Sequence, residues 1–260
     1  ALDNVHLVGL VGSTKAYFNN DGIDPSEAIT QFNHRAVDYH EEELIERLAH
    51  HPYDELVIVD ITPSESFSNL YREFFQHGIH VIGANKWAAS SSQDNFDLLN
   101  ETAKKHQSQW LGNTTVGAGL PINFAINDLI NSGDQISEIS GIFSGTLSWI
   151  FEKFDGSVPF SKLVKDALAQ GLTEPDPRDD LSGRDVQRKL LILARAAGFK
   201  LSLGDIECKN LVPESLQSIE KQEFLSRIDE LDGDFSSLID DANAKNECLR
   251  YVARFSTGEF

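Results

Sequence analysis

Methionine is absent from all 260 residues, even at position 1, and cysteine occurs only twice, at Cys208 and Cys248. Two distant cysteines with no Cys-x-x-Cys pair build neither a disulfide framework nor a thiolate metal site, so free thiols in a reducing, cytoplasmic compartment are expected. Basic residues are scarce: 22 Lys and Arg stand against 41 Asp and Glu, a formal net charge of −19. Such an acidic surface repels phosphate backbones and anionic bilayers, which excludes nucleic acid and membrane as main partners but leaves room for a local basic pocket. No apolar run approaches the roughly 20 residues of a membrane span. There is no P-loop, no nucleophile elbow and no Gly-x-Gly-x-x-Gly, and the eight histidines have no metal-ligand spacing. Lacking methionine and opening at once into the strand-like run Val5–Val11, the chain reads as a segment of something longer.

What is present begins with alternation. Val5–Val11, Leu56–Ile61, Ile79–Ile82 and Gln109–Leu111 have the apolar, β-branched character of strands. Helical stretches fall between them: Glu41–Leu48, a segment capped near Thr62 and running to about His77 where Gly78 stops it, and Asp94–His106. Strands alternating with helices at this spacing predict β-α-β units and a parallel sheet, hence an α/β fold. The pattern changes near Asn113, which places a domain boundary at about residue 112. Beyond it come a glycine turn at Gly117–Pro121, a helix from Pro121, a strand at Ile136–Phe143, and helices at Ser144–Phe151 and Phe160–Ala169. An acidic, helical remainder ends in the strand-like Leu249–Phe255.

The densest chemistry lies in Thr173–Lys189, TEPDPRDDLSGRDVQRK, which carries Glu174, Asp176, Asp179, Asp180 and Asp185 and leads into an apolar helix. Ser182 and Asp185 have capping-box spacing, so Asp185 is expected to cap a helix. Val186, Leu190, Leu193, Ala194 and Ala197 form one apolar stripe, with Lys189 beside it one turn after Asp185. The bland reading is an ordinary i,i+4 ion pair; the sharp one is a lysine at a pocket edge, oriented by Asp185 for proton transfer. Clustered carboxylates also suit Mg²⁺ or Ca²⁺, but no calcium-loop spacing is present. Four further features carry two readings each. Ser13-Thr14-Lys15 after the first strand is a 2′-phosphate contact or a polar turn. Thr62, at a strand end and helix start, is a ligand contact or a helix cap. Lys86, after the third strand, meets a phosphate or carboxylate or is simply solvated. Gly117-Ala118-Gly119-Leu120 offers carbonyls to a cation or is a tight turn.

These pieces, in this order, resemble homoserine dehydrogenase in the form fused behind aspartokinase. The stretches that carry the resemblance are VDITPS (59–64), HVIGANK (80–86), NTTVGAGLP (113–121), SGIFSGTLSWIF (140–151) and GLTEPDPRDDLSGRDVQRKLLILAR (171–195). The resemblance implies an incomplete doubly wound, Rossmann-like parallel-sheet domain over 1–112 and an α+β substrate and dimerisation domain over 113–260. It implies reversible NADPH- or NADH-dependent reduction of L-aspartate 4-semialdehyde to L-homoserine. By motif, Lys189 is the expected proton donor, with Lys86 near cofactor and substrate. Glu174, Asp180 and Asp185 are expected to hold the substrate; Thr62 and Gly171, with Lys86, are expected to touch the cofactor. Carbonyls of Val116, Ala118 and Leu120, with the side chain of Asn113, match a Na⁺ or K⁺ site in which the family carries an acid at the Asn113 position. Three departures stand out: the family's glycine-rich phosphate loop is not found, nor is its C-terminal segment, and its T-P-N-K-K reads Gly83-Ala84-Asn85-Lys86-Trp87. Expected partners are the small substrate, a second copy of the chain and a fused aspartokinase. A dehydrogenase of another amino-acid semialdehyde and a non-catalytic association module are the competing readings.

Overall fold

The computed structural model describes residues 5–258, so the expected domain limits at 1 and 260 extend just outside the described residues. The chain opens on a small antiparallel sheet of β1 (Gly9–Val11), β2 (Lys15–Phe18) and β3 (Val37–Asp38), in that order. The apolar run from Val5 was expected to be one buried strand. Instead Gly12 donates its N–H to the Lys15 carbonyl at 2.8 Å and the chain folds back as a hairpin. Ser13 and Thr14 form the tip of that hairpin and Lys15 starts its second strand, so they build a polar turn and not the entry to a phosphate-binding helix. Two helices follow. α1 (Ala28–Arg35) was not foreseen; α2 (Glu41–Ala49) has three glutamates in its first turn, where the helix dipole favours them.

The parallel sheet lies where the sequence places it. β4 (Val57–Asp60), β5 (His80–Gly83) and β6 (Trp110–Leu111) pair in that order, with Val57 opposite His80 and Val81 opposite Trp110. The first crossover is α3 (Glu65–Asn69) and α4 (Tyr71–Gln76), broken at Leu70 rather than continuous to His77. Its cap is Ser64, whose Oγ accepts the Phe67 N–H at 3.1 Å; Thr62 is not the cap. Gly78, at φ +75°, turns the chain into β5, a conformation open to glycine at no steric cost. α5 (Gln93–Lys105) makes the second crossover. Tyr71, Phe74, Phe75, Val81 and Leu99 pack one face of the sheet, whereas Val57, Val59, Ile82 and Leu111 on the other face are exposed.

The second half is mostly helical: α6 (Ile122–Asn131), β7 (Glu138–Gly141), α7 (Gly145–Lys153), α8 (Phe160–Ala169), α9 (Pro177–Leu181), α10 (Arg184–Ala196), α11 (Glu214–Gln217), α12 (Lys221–Arg227), α13 (Asp232–Ala244) and β8 (Ala253–Ser256). β7 and β8 pair antiparallel, Ile139 opposite Phe255. Leu147, Ile150, Val164, Leu191 and Phe224 are fully buried, and Phe160 stacks on Phe235 at 3.5 Å between ring centroids. The whole expected stripe of α10 is buried. Two local expectations fail in the acidic segment. It is not all loop, because Asp176 caps the short α9 by accepting the Arg178 N–H at 3.0 Å. Nor does Asp185 close a capping box. α10 is preceded by Gly183 at φ +72° with no side-chain cap, and the Ser182 hydroxyl donates to the Asp179 carbonyl at 2.7 Å and accepts the Arg184 N–H at 3.3 Å, not that of Asp185.

Candidate functional site

The carboxyl ends of β4 and β5 bring two loops side by side. Asp60, the last residue of β4, is 1% exposed. Its Oδ1 accepts the Thr62 N–H at 2.8 Å; its Oδ2 accepts the Tyr71 hydroxyl at 2.6 Å and Asn85 Nδ2 at 3.0 Å. Asn85 also donates to the Ser64 carbonyl at 2.7 Å and accepts the Trp87 N–H at 2.9 Å, so the turn that carries Lys86 is pinned on both sides. Burial pushes the Tyr71 phenol far up, with the Asp60 hydrogen bond adding to it, so Tyr71 stays a donor at any working pH.

α10 meets this edge from the second half. Lys86 Nζ lies 3.3 Å from Asp185 Oδ1, and Lys189 Nζ lies 2.7 Å from Asp185 Oδ2. Lys189 also donates to the Phe143 carbonyl at 2.7 Å, and its side chain is 18% exposed. One carboxylate therefore bridges two ammonium groups from distant parts of the chain. Burial alone would raise the Asp185 carboxyl. The hydrogen bond and charge of Lys189, joined by Lys86, outweigh it and leave the group below its ordinary value. The apolar stripe fixes which side of α10 faces inward, and Lys189 rides at its border, where a long side chain keeps its head polar.

Glu174 and Asp180 form a second acidic pair. The Glu174 N–H donates to Asp180 Oδ2 at 2.7 Å, which leaves the Glu174 carboxylate exposed. Burial raises the Asp180 carboxyl above its ordinary value, and Asp179 and Asp185 add to the rise against opposing hydrogen bonds from Glu174 and Thr146. A half-buried carboxylate without a cation is a receptive partner for a substrate ammonium. Asp176 has a structural duty instead: it grips Arg178, whose Nη1 donates to the carbonyl of Ile219 at 2.6 Å, locking α9 to the turn after α11.

Thr62 and Gly171 make no hydrogen bond to the Lys–Asp–Lys cluster. Thr62 Oγ1 accepts the Ser64 N–H at 3.2 Å, and Gly171, at φ +69°, ends α8. In the 113–123 turn, Gly117 and Ala118 have φ of +83° and +51°. The Leu120 carbonyl accepts the Ile122 N–H at 2.9 Å and Val116 is buried. The buried Asn113 Oδ1 and Asn123 Oδ1 have no hydrogen-bond partner among the described residues, a rare state for interior polar atoms. No group of three or more His, Cys, Asp or Glu is placed to hold a metal among the described residues. Sequence reasoning missed Asp60, Tyr71 and the Phe143 carbonyl; an aspartate closing the apolar run LVIVD was the one available signal.

A parallel sheet whose carboxyl edge presents its own lysine to an Asp–Lys pair from a separate helical layer has the layout of the dinucleotide-dependent α/β dehydrogenases. Residues 15–113 match the homoserine dehydrogenase NAD binding domain, and residues 121–258 match the family model of homoserine dehydrogenase itself. The chain belongs to the homoserine dehydrogenase family. It is 48% identical over 249 residues to bifunctional aspartokinase/homoserine dehydrogenase 2 of Escherichia coli, covering 96% of this chain and 31% of that protein. It is 39% identical over 216 residues to homoserine dehydrogenase of Schizosaccharomyces pombe, covering 80% of this chain and 57% of that one. The chain thus spans about a third of the length of the bifunctional relatives it matches. Among solved structures, a Candida auris protein of unknown function superposes with a TM-score of 0.88 at 35% identity, covering 96% of this chain and 72% of the other. A putative homoserine dehydrogenase from Archaeoglobus fulgidus, at 23% identity and a TM-score of 0.72 over 96% of this chain and 70% of that one, shares the fold.

Proposed function

We propose that this chain carries the reversible reduction of L-aspartate 4-semialdehyde to L-homoserine. The observation that supports this best is the bridge of Lys86 and Lys189 by Asp185 at the carboxyl edge of the sheet. On this reading the chain divides near residue 112 into a cofactor part, 1–112, and a substrate part, 113–260. Thr62 and Lys86 suit the nicotinamide end of an NADP or NAD cofactor, because the pinned loops after β4 and β5 leave a fixed polar rim there, and Gly171, at the end of α8, is assigned to the cofactor by its motif. When bound, that dinucleotide supplies the hydride that reduces C4. The Lys189 ammonium gives its proton to the carbonyl oxygen, which becomes the homoserine hydroxyl, and solvent restores the proton; in the reverse direction neutral Lys189 takes it. Asp185 and the Phe143 carbonyl hold Lys189 in one orientation. Glu174 and Asp180, with Asp185, receive the substrate ammonium.

A monovalent cation, Na⁺ or K⁺, fits the carbonyls of Val116, Ala118 and Leu120 with Asn113, since the orphaned Asn113 oxygen has lone pairs to offer a cation. A homodimer or higher homo-oligomer, fusion to an aspartokinase as in the named relatives, and a cytoplasmic setting complete the reading. No helix among the described residues is long and apolar enough to cross a membrane. The absence of Gly-x-Gly-x-x-Gly favours one rival, a non-catalytic association module, which micromolar NADPH binding by calorimetry would exclude. The decisive test is Lys189→Ala, assayed with homoserine in the full-length protein: kcat is expected to fall by at least ~10²-fold, as for loss of the general base that takes the hydroxyl proton in this direction. A near-wild-type kcat would sink the assignment.

A further inference from the structure

The loops that carry Thr62 and Lys86 share one buried anchor. Asp60 holds the first loop through the Thr62 N–H at 2.8 Å. It holds the second twice: its backbone carbonyl accepts the Ala84 N–H at 2.8 Å, and its carboxylate accepts Asn85 Nδ2 at 3.0 Å. Asn85, 4% exposed, then ties the Ser64 carbonyl to the Trp87 N–H, and the Trp87 indole donates to the Pro63 carbonyl at 2.9 Å. The donors that reach the Asp60 carboxylate are the Thr62 N–H, the Tyr71 hydroxyl from α4 and Asn85 Nδ2, and none among the described residues is a cation. Taking a carboxylate out of water without a counter-charge is costly, and a well-packed core has no need of one. An asparagine of equal size would offer one acceptor oxygen where three donors arrive, and its NH₂ would face either the Thr62 N–H or the NH₂ of Asn85, depending on which way the amide turns. The position therefore requires an all-acceptor side chain. The consequence is geometric: Asp60 anchors both the Thr62 loop and the Lys86 loop, and the Asn85–Ser64 and Trp87–Pro63 bonds then tie the two loops to each other.

We propose that Asp60 is a positioning residue for the dehydrogenase reaction, acting through Asn85 to place Lys86 against Asp185 and to fix the Thr62 loop that rims the cofactor site. This rests on the proposed function for its catalytic consequence, but its structural consequence stands alone. The test pairs Asp60→Asn with Leu99→Ala, which cuts a 2%-exposed side chain from the same core cluster without touching the edge. In crystal structures, Asp60→Asn is expected to open the Lys86–Asp185 contact beyond ion-pair distance while the Lys189–Asp185 contact persists; Leu99→Ala is expected to keep both. In the full-length enzyme, Asp60→Asn is expected to lower kcat by ~10- to 100-fold, the scale of an ångström-sized misplacement, against less than ~3-fold for Leu99→Ala. An Asp60→Asn protein with the Lys86–Asp185 contact intact overturns the proposal, whether or not the wild type turns over homoserine. So does a kcat loss that Leu99→Ala reproduces at equal loss of melting temperature. A wild type that is inactive while Lys86 still swings away in Asp60→Asn counts against the dehydrogenase reading and in favour of the positioning role.

Discussion

Asp185 and Asp180 are two carboxylates on neighbouring helices with opposite electrostatic fates, and each fate has a measurable sign. The Asp185 carboxyl sits below its ordinary value in the folded protein because the two lysines outweigh its burial. Its stabilising contribution is therefore present above the unfolded value of about 3.9 and is lost as the pH falls through the folded one. Thermal melts of wild type and Asp185→Asn are expected to differ most at neutral pH and to converge below pH ~4. Asp180 runs the other way. Burial raises it, so its ionised form opposes folding above the unfolded value. Asp180→Asn is expected to match or exceed the wild-type melting temperature at pH 7. It is also expected to raise the KM for homoserine by ~10-fold or more, because a charge-assisted contact to the ammonium is worth about 1.5–3 kcal/mol. Much of this was legible in the sequence: i,i+4 spacing paired Asp185 with Lys189, and the stripe put Lys189 at its edge. Lys86 was legible as a lysine at a strand end, but its approach to Asp185 was not, since no local rule joins residues that far apart. Asp60 escaped for a related reason: its side-chain partners come from the first crossover and from the loop after β5.

At the scale of elements, the chain's turns decide where the site stands. Gly183 starts α10 at φ +72°, and a Cβ there would run into the Tyr251 hydroxyl and approach Cys208 Sγ. Tyr251 in turn donates to the Lys209 carbonyl at 2.7 Å, so the entry to α10 is wedged against the chain that leads into β8. Gly183→Ala is expected to cost more than ~1 kcal/mol, combining left-handed strain with the clash, by urea unfolding. Ser64→Ala, which removes the cap and an exposed contact to the Ser66 hydroxyl at 3.0 Å, is expected to cost about 1 kcal/mol and to leave the Lys–Asp–Lys contacts in place. The parallel strands were readable because each is an apolar run closed by turn residues. The opening hairpin was not, because Val5–Val11 is equally apolar and Gly12-Ser13-Thr14 reads as a loop of any length. α9 hid for a different reason: its helical turn is short and densely charged, and only the Asp176 cap before Pro177 marks it.

At the scale of the whole molecule, the two halves are held by α10 acting as a spine. Beyond the Lys86–Asp185 contact, Arg188 donates to Ser90 Oγ at 2.9 Å and lies over the Trp87 ring at 3.7 Å. Two turns later Arg195, 6% exposed, donates to the carbonyls of Ala89, Ser91 and Leu201 at 2.9, 2.9 and 2.8 Å. Burial lowers its guanidinium from the ordinary value against the opposing charge of Asp97; carbonyl oxygens accept its hydrogen bonds, and the centroid of the Phe96 ring lies 4.8 Å from it. The nearby Lys200–Asp97 pair, at 3.0 Å, is exposed and contributes little by comparison. Arg195→Met keeps the apolar stem but strands three carbonyls, each left with about 1–3 kcal/mol of desolvation where water cannot reach it. The expected outcome is a loss of several kcal/mol and, because the seam carries Ala89 to Ser91 on one side and α10 on the other, a calorimetric transition that broadens or splits. Lys200→Ala is expected to change the melting temperature by less than a degree or two. A single, unshifted transition in Arg195→Met would mean that the halves are coupled through the Lys86–Asp185 contact and the Trp87–Arg188 stack instead. In that case the coupling would reside at the chemistry itself and would weaken in Asp185→Asn.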